Sequence, residues 1–245
     1  MTDLQPSWVL GRRSYGDNGL LVEFFAGGDG RCGAVARGVF RRKPGGNLAA
    51  LLQPFRPLLI KLTGRGELKT LAAVEAPTAG YTLRAESLIS GLYLNELLTR
   101  VLPRFDPHPA LFLQYGEAVQ ALQQGPPELA LRRFELVLLG ELGYRIQWSI
   151  DESGEPISAA KLYLYEVGRG FVVKTTQDSV HGRPGIPGRV LLGIDDALTT
   201  SELLDDEALP FMKSVTRSAV SALTAGRPIN SRGILRSLKQ PSAHS

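Results

Sequence analysis

A chain of 245 residues is long for one small core and comfortable for two domains of roughly 100 to 150 residues. Hydrophobic residues make up 43% and charged residues 21%, a balance that excludes wholesale disorder, and no stretch approaches the roughly 18 apolar residues of a membrane span. The formal net charge of +4 names no partner by itself, the opening MTDLQPSWVLGRRSYGDNG carries no leader pattern, and a single cysteine, Cys32, excludes an intrachain disulfide, so the expectation is a soluble cytoplasmic protein.

The distribution of charge says more than its sum. Residues 1–80 hold 11 Lys/Arg against 6 Asp/Glu, residues 81–210 hold 11 against 18, and the last 35 residues hold six basic groups and no acidic one. Two basic ends around an acidic middle attract a polyanion to particular surfaces, because each neutralised phosphate releases condensed counterion. The competing account is an ordinary solvated surface.

Up to about residue 80, short apolar runs alternate with Gly, Pro, Asp and Asn, the punctuation of strands and turns. Five strands are predicted, at Trp8–Leu10, Leu20–Phe25, Gly33–Val39, Leu58–Leu62 and Leu68–Val74. Five strands in so short a stretch predict a small closed barrel, since a flat sheet would leave edges and one face uncovered. From Arg84 the period changes. Leu88, Ile89, Leu92, Tyr93, Leu97, Val101 and Leu102 recur at helical spacing. Further helices are predicted at Ala110–Leu122 and at Glu128–Leu142, the latter begun near Pro127 and stopped by Gly143, where a left-handed cap suits glycine. KLYLYEVGRGFVVK predicts a hairpin turning at Gly168–Gly170, helical periodicity resumes over Glu207–Leu223, and a short basic helix is predicted after Asn230 or Ser231, either of which can cap it. The fold class expected is α+β: an N-terminal five-stranded OB-fold β-barrel over 1–80, then a mainly α-helical domain over 81–245 with a small β-hairpin insertion at about 144–175.

Several chemistries fail on context. Gly28, Gly30 and Gly33 spell GxGxxG, but AVARGVF follows as a strand rather than a helix, and no acid stands about 20 positions on. A glycine-rich turn between strands accounts for it better. GRGELKT lacks the glycine that must precede a P-loop lysine. One cysteine and three histidines, at 108, 181 and 244, give no paired metal-ligand spacing, and His108 reads as a loop residue. No GxSxG elbow or Cys-His signature supports a nucleophile. Asp195/Asp196 and Asp205/Asp206 read as helix-start carboxylates. No catalytic residue, metal or cofactor is therefore assigned, and an enzyme is the weaker class.

A basic constellation remains. Arg37, Arg41, Arg42 and Lys43 lie at the end of the third predicted strand and in the loop after it, while Lys61, Arg65 and Lys69 flank the turn between the last two strands. OB barrels bind oligonucleotides on one strand face and its adjoining loops. Arg217, Arg227, Arg232, Arg236 and Lys239 extend the set at the C-terminal end. Phe40 stands beside the basic run, with Trp8, Phe24, Phe25 and Phe55 also available, but barrel aromatics usually fill the core. Binding led by phosphate contacts, with little sequence preference, is expected.

Three blocks, VARGV at 35–39, LLQPFRPLLIKLTGRGELKTLAAVEA at 51–76 and SGLYLNELLTRVLPRFDPHPALFLQY at 90–115, together with ALRRFELVLLGELGY at 130–144 and the TRSAVSALTAGRPINSR tail, resemble the RecO family of bacterial recombination mediators across nearly the whole chain. The resemblance implies binding of single- and double-stranded DNA, annealing of complementary strands and help in loading RecA onto DNA covered by single-strand-binding protein (SSB). The implied partners are RecR and the C-terminal tail of SSB, with RecA served indirectly, and the implied location is the nucleoid-associated bacterial cytoplasm. Some relatives carry a four-cysteine zinc site, but the matching region here, about 151–175, has no cysteine, so zinc is not carried over. The SSB tail is acidic and ends in an apolar residue, which directs it to an apolar groove beside guanidinium groups. Arg132 and Arg133 with Leu129, Leu136 and Leu139 offer that combination, against the simpler account of a helix ion pair between Arg132 and Glu128 or Glu135. The alternative function is a general OB-fold nucleic-acid adaptor, RNA included, and an enzyme with an unrecognised site stands third.

Overall fold

The structure is a computed structural model and describes residues 4–40, 48–175, 184–200 and 205–231. The chain divides into two compact units, Met1–Phe134 with Pro228–Ser245, and Glu135–Arg227.

In the first unit, β1 (Gln5–Tyr15), β2 (Gly19–Ala26), β3 (Gly30–Arg37), the short helix α1 (Leu48–Leu51), β4 (Leu58–Thr63) and β5 (Leu68–Glu75) follow in order. The strands close into a barrel in the order β1-β2-β3-β5-β4. Neighbours are antiparallel except for the parallel β3–β5 pair, which is the OB-fold connectivity. Strand alternation fills the interior: Leu20, Val22 and Phe24 of β2 meet Val9, Ala34, Ala36 and Ile60 in one buried cluster, and Leu52, just after α1, is fully buried in it. The outward residues of β2 are Leu21, Glu23 and Phe25, so its nearly continuous apolar run needs a second cover.

That cover is helical. α2 (Ala85–Val101) and α3 (Pro109–Gln124) supply it. Of the apolar positions read at helical spacing, Ile89, Tyr93, Leu97 and Leu102 are buried, but Leu88 and Leu92 are exposed and Leu94 is buried instead, because the covered stripe of α2 is narrower than its apolar one. α3 buries Leu111, Tyr115 and Val119. Trp8 and Phe25 pair across β1 and β2, and both rings contact Tyr115, at 5.3 and 6.3 Å between centroids, while Phe25 also meets Phe112 at 5.4 Å. Buried Asn95 accepts a 2.5 Å hydrogen bond from the Tyr115 hydroxyl at Oδ1 and reaches the Val9 carbonyl with Nδ2 at 3.5 Å. Gly30 makes the close approach possible. Its φ is +65°, and a Cβ there would stand 2.1 Å from the Asp106 carbonyl oxygen, so the GxGxxG segment serves a turn and a contact.

α4 (Pro127–Glu141) ends as predicted, with Gly143 at φ +83° and the Tyr144 N–H donating to the Leu139 carbonyl at 2.7 Å. The second unit adds β6 (Leu162–Glu166), β7 (Gly170–Val173), β8 (Ile186–Pro187), α5 (Gly188–Thr200) and α6 (Ala208–Leu223). The predicted hairpin is β6–β7, and β8 makes it a three-stranded sheet over a core that includes Trp148, Phe171, Leu191, Ile194, Met212 and Val215. α5 was not expected from the sequence. Asp195 and Asp196 lie in its second half, not at a helix start, whereas Asp205 does stand at one, accepting the Glu207 N–H at 3.1 Å before α6. Among the described residues no helix is long and apolar enough to cross a membrane.

Candidate nucleic-acid interface

The outer face of β1–β2–β3 is divided between two environments. Paired residues share a face, so Arg13 with Leu21 and Val35, and Tyr15 with Gly19 and Arg37, form two adjacent outward rows at one end of the three strands. A register shift between Val9 and Gly11 resets β1 so that Arg13 and Tyr15 point outward. Arg12, one residue out of phase, turns to the capped end of the barrel and donates to the Ala49 carbonyl at 2.8 Å. Arg13 and Arg37 are exposed. The nearby aromatics are exposed too, Tyr15 at 48% and Phe40 at 51%. An open groove of about 500 Å³ runs between Arg12, Arg13, Leu20, Phe40, Ala49 and Gln53.

The other end of the same strands is covered. Glu23 accepts from Arg31 at 3.1 Å and from Arg104 at 3.0 Å, and Arg31 also donates to the Thr99 carbonyl at 2.9 Å. Burial lowers the Arg31 guanidinium from its ordinary value, Glu23 opposes that shift and Arg104 adds to it. Cys32, fully buried in the barrel, has its thiol pushed up to about 12, chiefly by burial and then by Asp29 and Glu23, so it is an inert core side chain.

The predicted cations fall into separate places. Arg37 lies in the open rows. Arg65 is exposed in the β4–β5 turn, and Lys69 donates to the Gly64 carbonyl at 3.0 Å with its ammonium 5.1 Å from the Phe105 ring centroid. Because Gly33 pairs with Leu68, that turn lies toward the Arg31 end of β3, about 13 Å along the strand from Arg37. Lys61 is on β4 opposite Ala73. Arg41, Arg42 and Lys43 lie outside the described residues, as do Arg232, Arg236 and Lys239. Arg217 is on α6 and Arg227 follows it, both exposed. Arg12, Arg13 and Tyr15 were missed in the sequence because the apolar run that marks the strand stops at Leu10.

The five residues expected to receive an acidic tail are also separated by burial. Arg132 is 3% exposed and forms an ion pair with Glu128 at 3.2 Å, the helix pair weighed as the simpler account. Leu139 is fully buried and Leu136 packs against the core of the second unit, so neither these leucines nor Arg132 line an open groove. Arg133 is exposed and Leu129 half-buried. His108 sits in the loop before α3. Among the described residues no group of His, Cys, Asp and Glu is arranged to hold a metal ion.

Two family models match the chain, Recombination protein O N terminal over residues 1–78 and Recombination protein O C terminal over residues 84–191. The chain is similar to the DNA repair protein RecO of Yersinia enterocolitica, 38% identical over 247 aligned residues that cover 99% of this chain and 98% of that one. It is likewise 38% identical to the proteins of that name from Yersinia pestis and Yersinia pseudotuberculosis, over 239 residues covering 96% of this chain and 95% of each relative.

Proposed function

The chain belongs to the RecO family, and from that membership and the barrel surface we propose that it is a recombination mediator of the RecFOR pathway that acts in DNA repair without bond-making chemistry. It binds single- and double-stranded DNA, anneals complementary strands and helps load RecA onto SSB-coated DNA. The observation that carries this is the open half of the barrel wall. There Arg13 and Arg37 stand among exposed Tyr15 and Phe40 with no carboxylate paired to them among the described residues. Cations of this kind hold phosphates and exposed rings stack on unpaired bases. Two strands brought to such a surface repel each other less, and base pairing then supplies the specificity.

In this proposal residues 1–80 are the DNA-binding domain and 81–245 the helical domain that meets partners, in the nucleoid-associated cytoplasm. Arg41, Arg42 and Lys43, which follow Phe40 in the sequence, are proposed as further phosphate contacts, Lys61, Arg65 and Lys69 add a second set, and Arg217, Arg232 and Arg236 contribute from the C-terminal end. RecR is the protein partner of the mediator complex. The SSB tail is assigned to α4 with Arg133 as its surface cation. Changing Arg133 to Ala is expected to weaken SSB-tail binding and spare naked DNA.

The test is annealing of complementary strands coated with SSB. The protein is expected to accelerate annealing, and SSB lacking its C-terminal tail is expected to abolish the acceleration. Annealing no faster than without the protein contradicts the proposal, and turnover of a nucleotide or of the DNA itself would mark an enzyme instead.

A further inference from the structure

Glu96 makes a connection that its position on α2 does not require. An acid at this helical spacing from Arg100 needs only the local ion pair, which is present at 2.5 Å. Yet its Oε1 also accepts the Asn230 N–H at 2.9 Å, and its Oε2 accepts both the Ser231 N–H at 3.0 Å and the Ser231 hydroxyl at 2.8 Å. Three of its four donors come from a segment 134 or 135 positions away. Asn230 and Ser231 have helical backbone, so their N–H groups belong to a first turn that has no acceptor of its own. The carboxylate caps that turn from another element, where Asn230 or Ser231 itself was expected to do so. Ile229 and Ser231 are both buried at about 5% exposure, and the Glu96 side chain is only 20% exposed.

Burial alone raises the Glu96 carboxyl, but the N–H groups of Ser231 and Asn230, the Ser231 hydroxyl and Arg100 outweigh it and hold the group below the ordinary carboxylate range. The pairing is thus charged and charge-assisted. It has a topological consequence as well. The chain leaves the first unit at Phe134 and rejoins it at Pro228, and Glu96 binds it two residues after that return. Arg232 follows Ser231 directly, and Arg236 and Lys239 lie five and eight positions on.

We propose that Glu96 is a positioning residue that anchors the C-terminal basic segment to the barrel-bearing unit, so that Arg232, Arg236 and Lys239 act on the same nucleic acid as the barrel cations. The proposal rests on the DNA-binding role given above. Fixing the chain at Ser231 raises the effective concentration of the cations bonded after it in the sequence, and loss of the anchor lowers it.

The experiment uses the full chain in four forms: unchanged, Glu96→Ala, Arg232→Glu with Arg236→Glu, and all three changes together. Glu96→Gln, which keeps the shape and one acceptor oxygen, replaces Glu96→Ala if the latter does not fold. Amide hydrogen exchange at Asn230 and Ser231, the two N–H groups that Glu96 accepts, reports the anchor in all four forms, and binding of a fluorescent oligonucleotide reports its use. Glu96→Ala is expected to speed exchange at those two amides alone and to lower DNA affinity about three- to tenfold, with no further loss when the charge reversals are already present. Unchanged exchange at Asn230 and Ser231 overturns the anchor. Faster exchange with unchanged affinity, where the reversals alone weaken binding, overturns its role in DNA binding. Equal loss of affinity with and without the reversals assigns Glu96 to the fold alone and also overturns the proposal. If the reversals by themselves change nothing, it is the DNA role of the C-terminal cations that fails, and the positioning role falls with it.

Discussion

Cations occur at both ends of β3, and their surroundings treat them oppositely. At the Gly30 end, Arg31 is half-buried, shares Glu23 with Arg104 and donates to the backbone of α2. At the far end, Arg37 and Arg13 of the adjacent row are exposed and have no acid to share among the described residues. The same strands therefore form an internal joint over one half and, over the other, leave open the cations that the proposal assigns to an outside polyanion. An OB barrel's customary ligand face is here partly occupied by the protein's own α3. Charge in a sequence is thus a poor guide to binding until one knows which cations are already neutralised.

The largest expected effect lies in the covered half. Phe25→Ala removes a fully buried ring from between β2 and α3 and is expected to cost about 3–5 kcal/mol, measured by urea unfolding. A loss under about 1 kcal/mol contradicts the packed joint. Next, Glu23→Gln leaves two guanidiniums without their shared charge and is expected to cost about 1–3 kcal/mol. Arg37→Gln is expected to change stability by less than about 0.5 kcal/mol while weakening DNA binding. If these two variants behaved alike, the contrast between the halves would collapse. Tyr15→Ala and Phe40→Ala sharpen it further, each costing about 1 kcal/mol of single-strand affinity and little duplex affinity; equal losses on both forms of DNA would mean the rings do not stack on bases. Smallest is the response of Cys32. A thiol pushed up to about 12 is neutral at pH 8, so the folded protein should resist a maleimide that labels the unfolded chain at once.

How far the sequence anticipated this depends on the interaction involved. Alternating runs bounded by Gly and Pro announced all five barrel strands, and helical spacing announced α2, α3, α4 and α6. β1 extends to Gln5 and Tyr15 beyond its predicted core of Trp8–Leu10, because Gly11, Arg12 and Arg13 interrupt the apolar run while the ladder to β2 continues. α5 escaped notice because it begins at Gly188, directly after a Pro- and Gly-rich stretch that reads as turn. Spacing showed that Arg132 and Leu139 lie on a helix but not which side is covered, and only packing reveals that both are buried. The Glu96 contact links residues whose separation leaves no local pattern at all.

The open half of the barrel is tested most directly by changing Arg13 and Arg37 together to Glu and following oligonucleotide binding across a series of salt concentrations, with the fold checked by unfolding. The expected result is an affinity at least about tenfold lower at low salt and a log–log salt slope shallower by about two, one for each phosphate contact removed. A folded double variant with the affinity and salt slope of the unchanged protein would contradict the assignment.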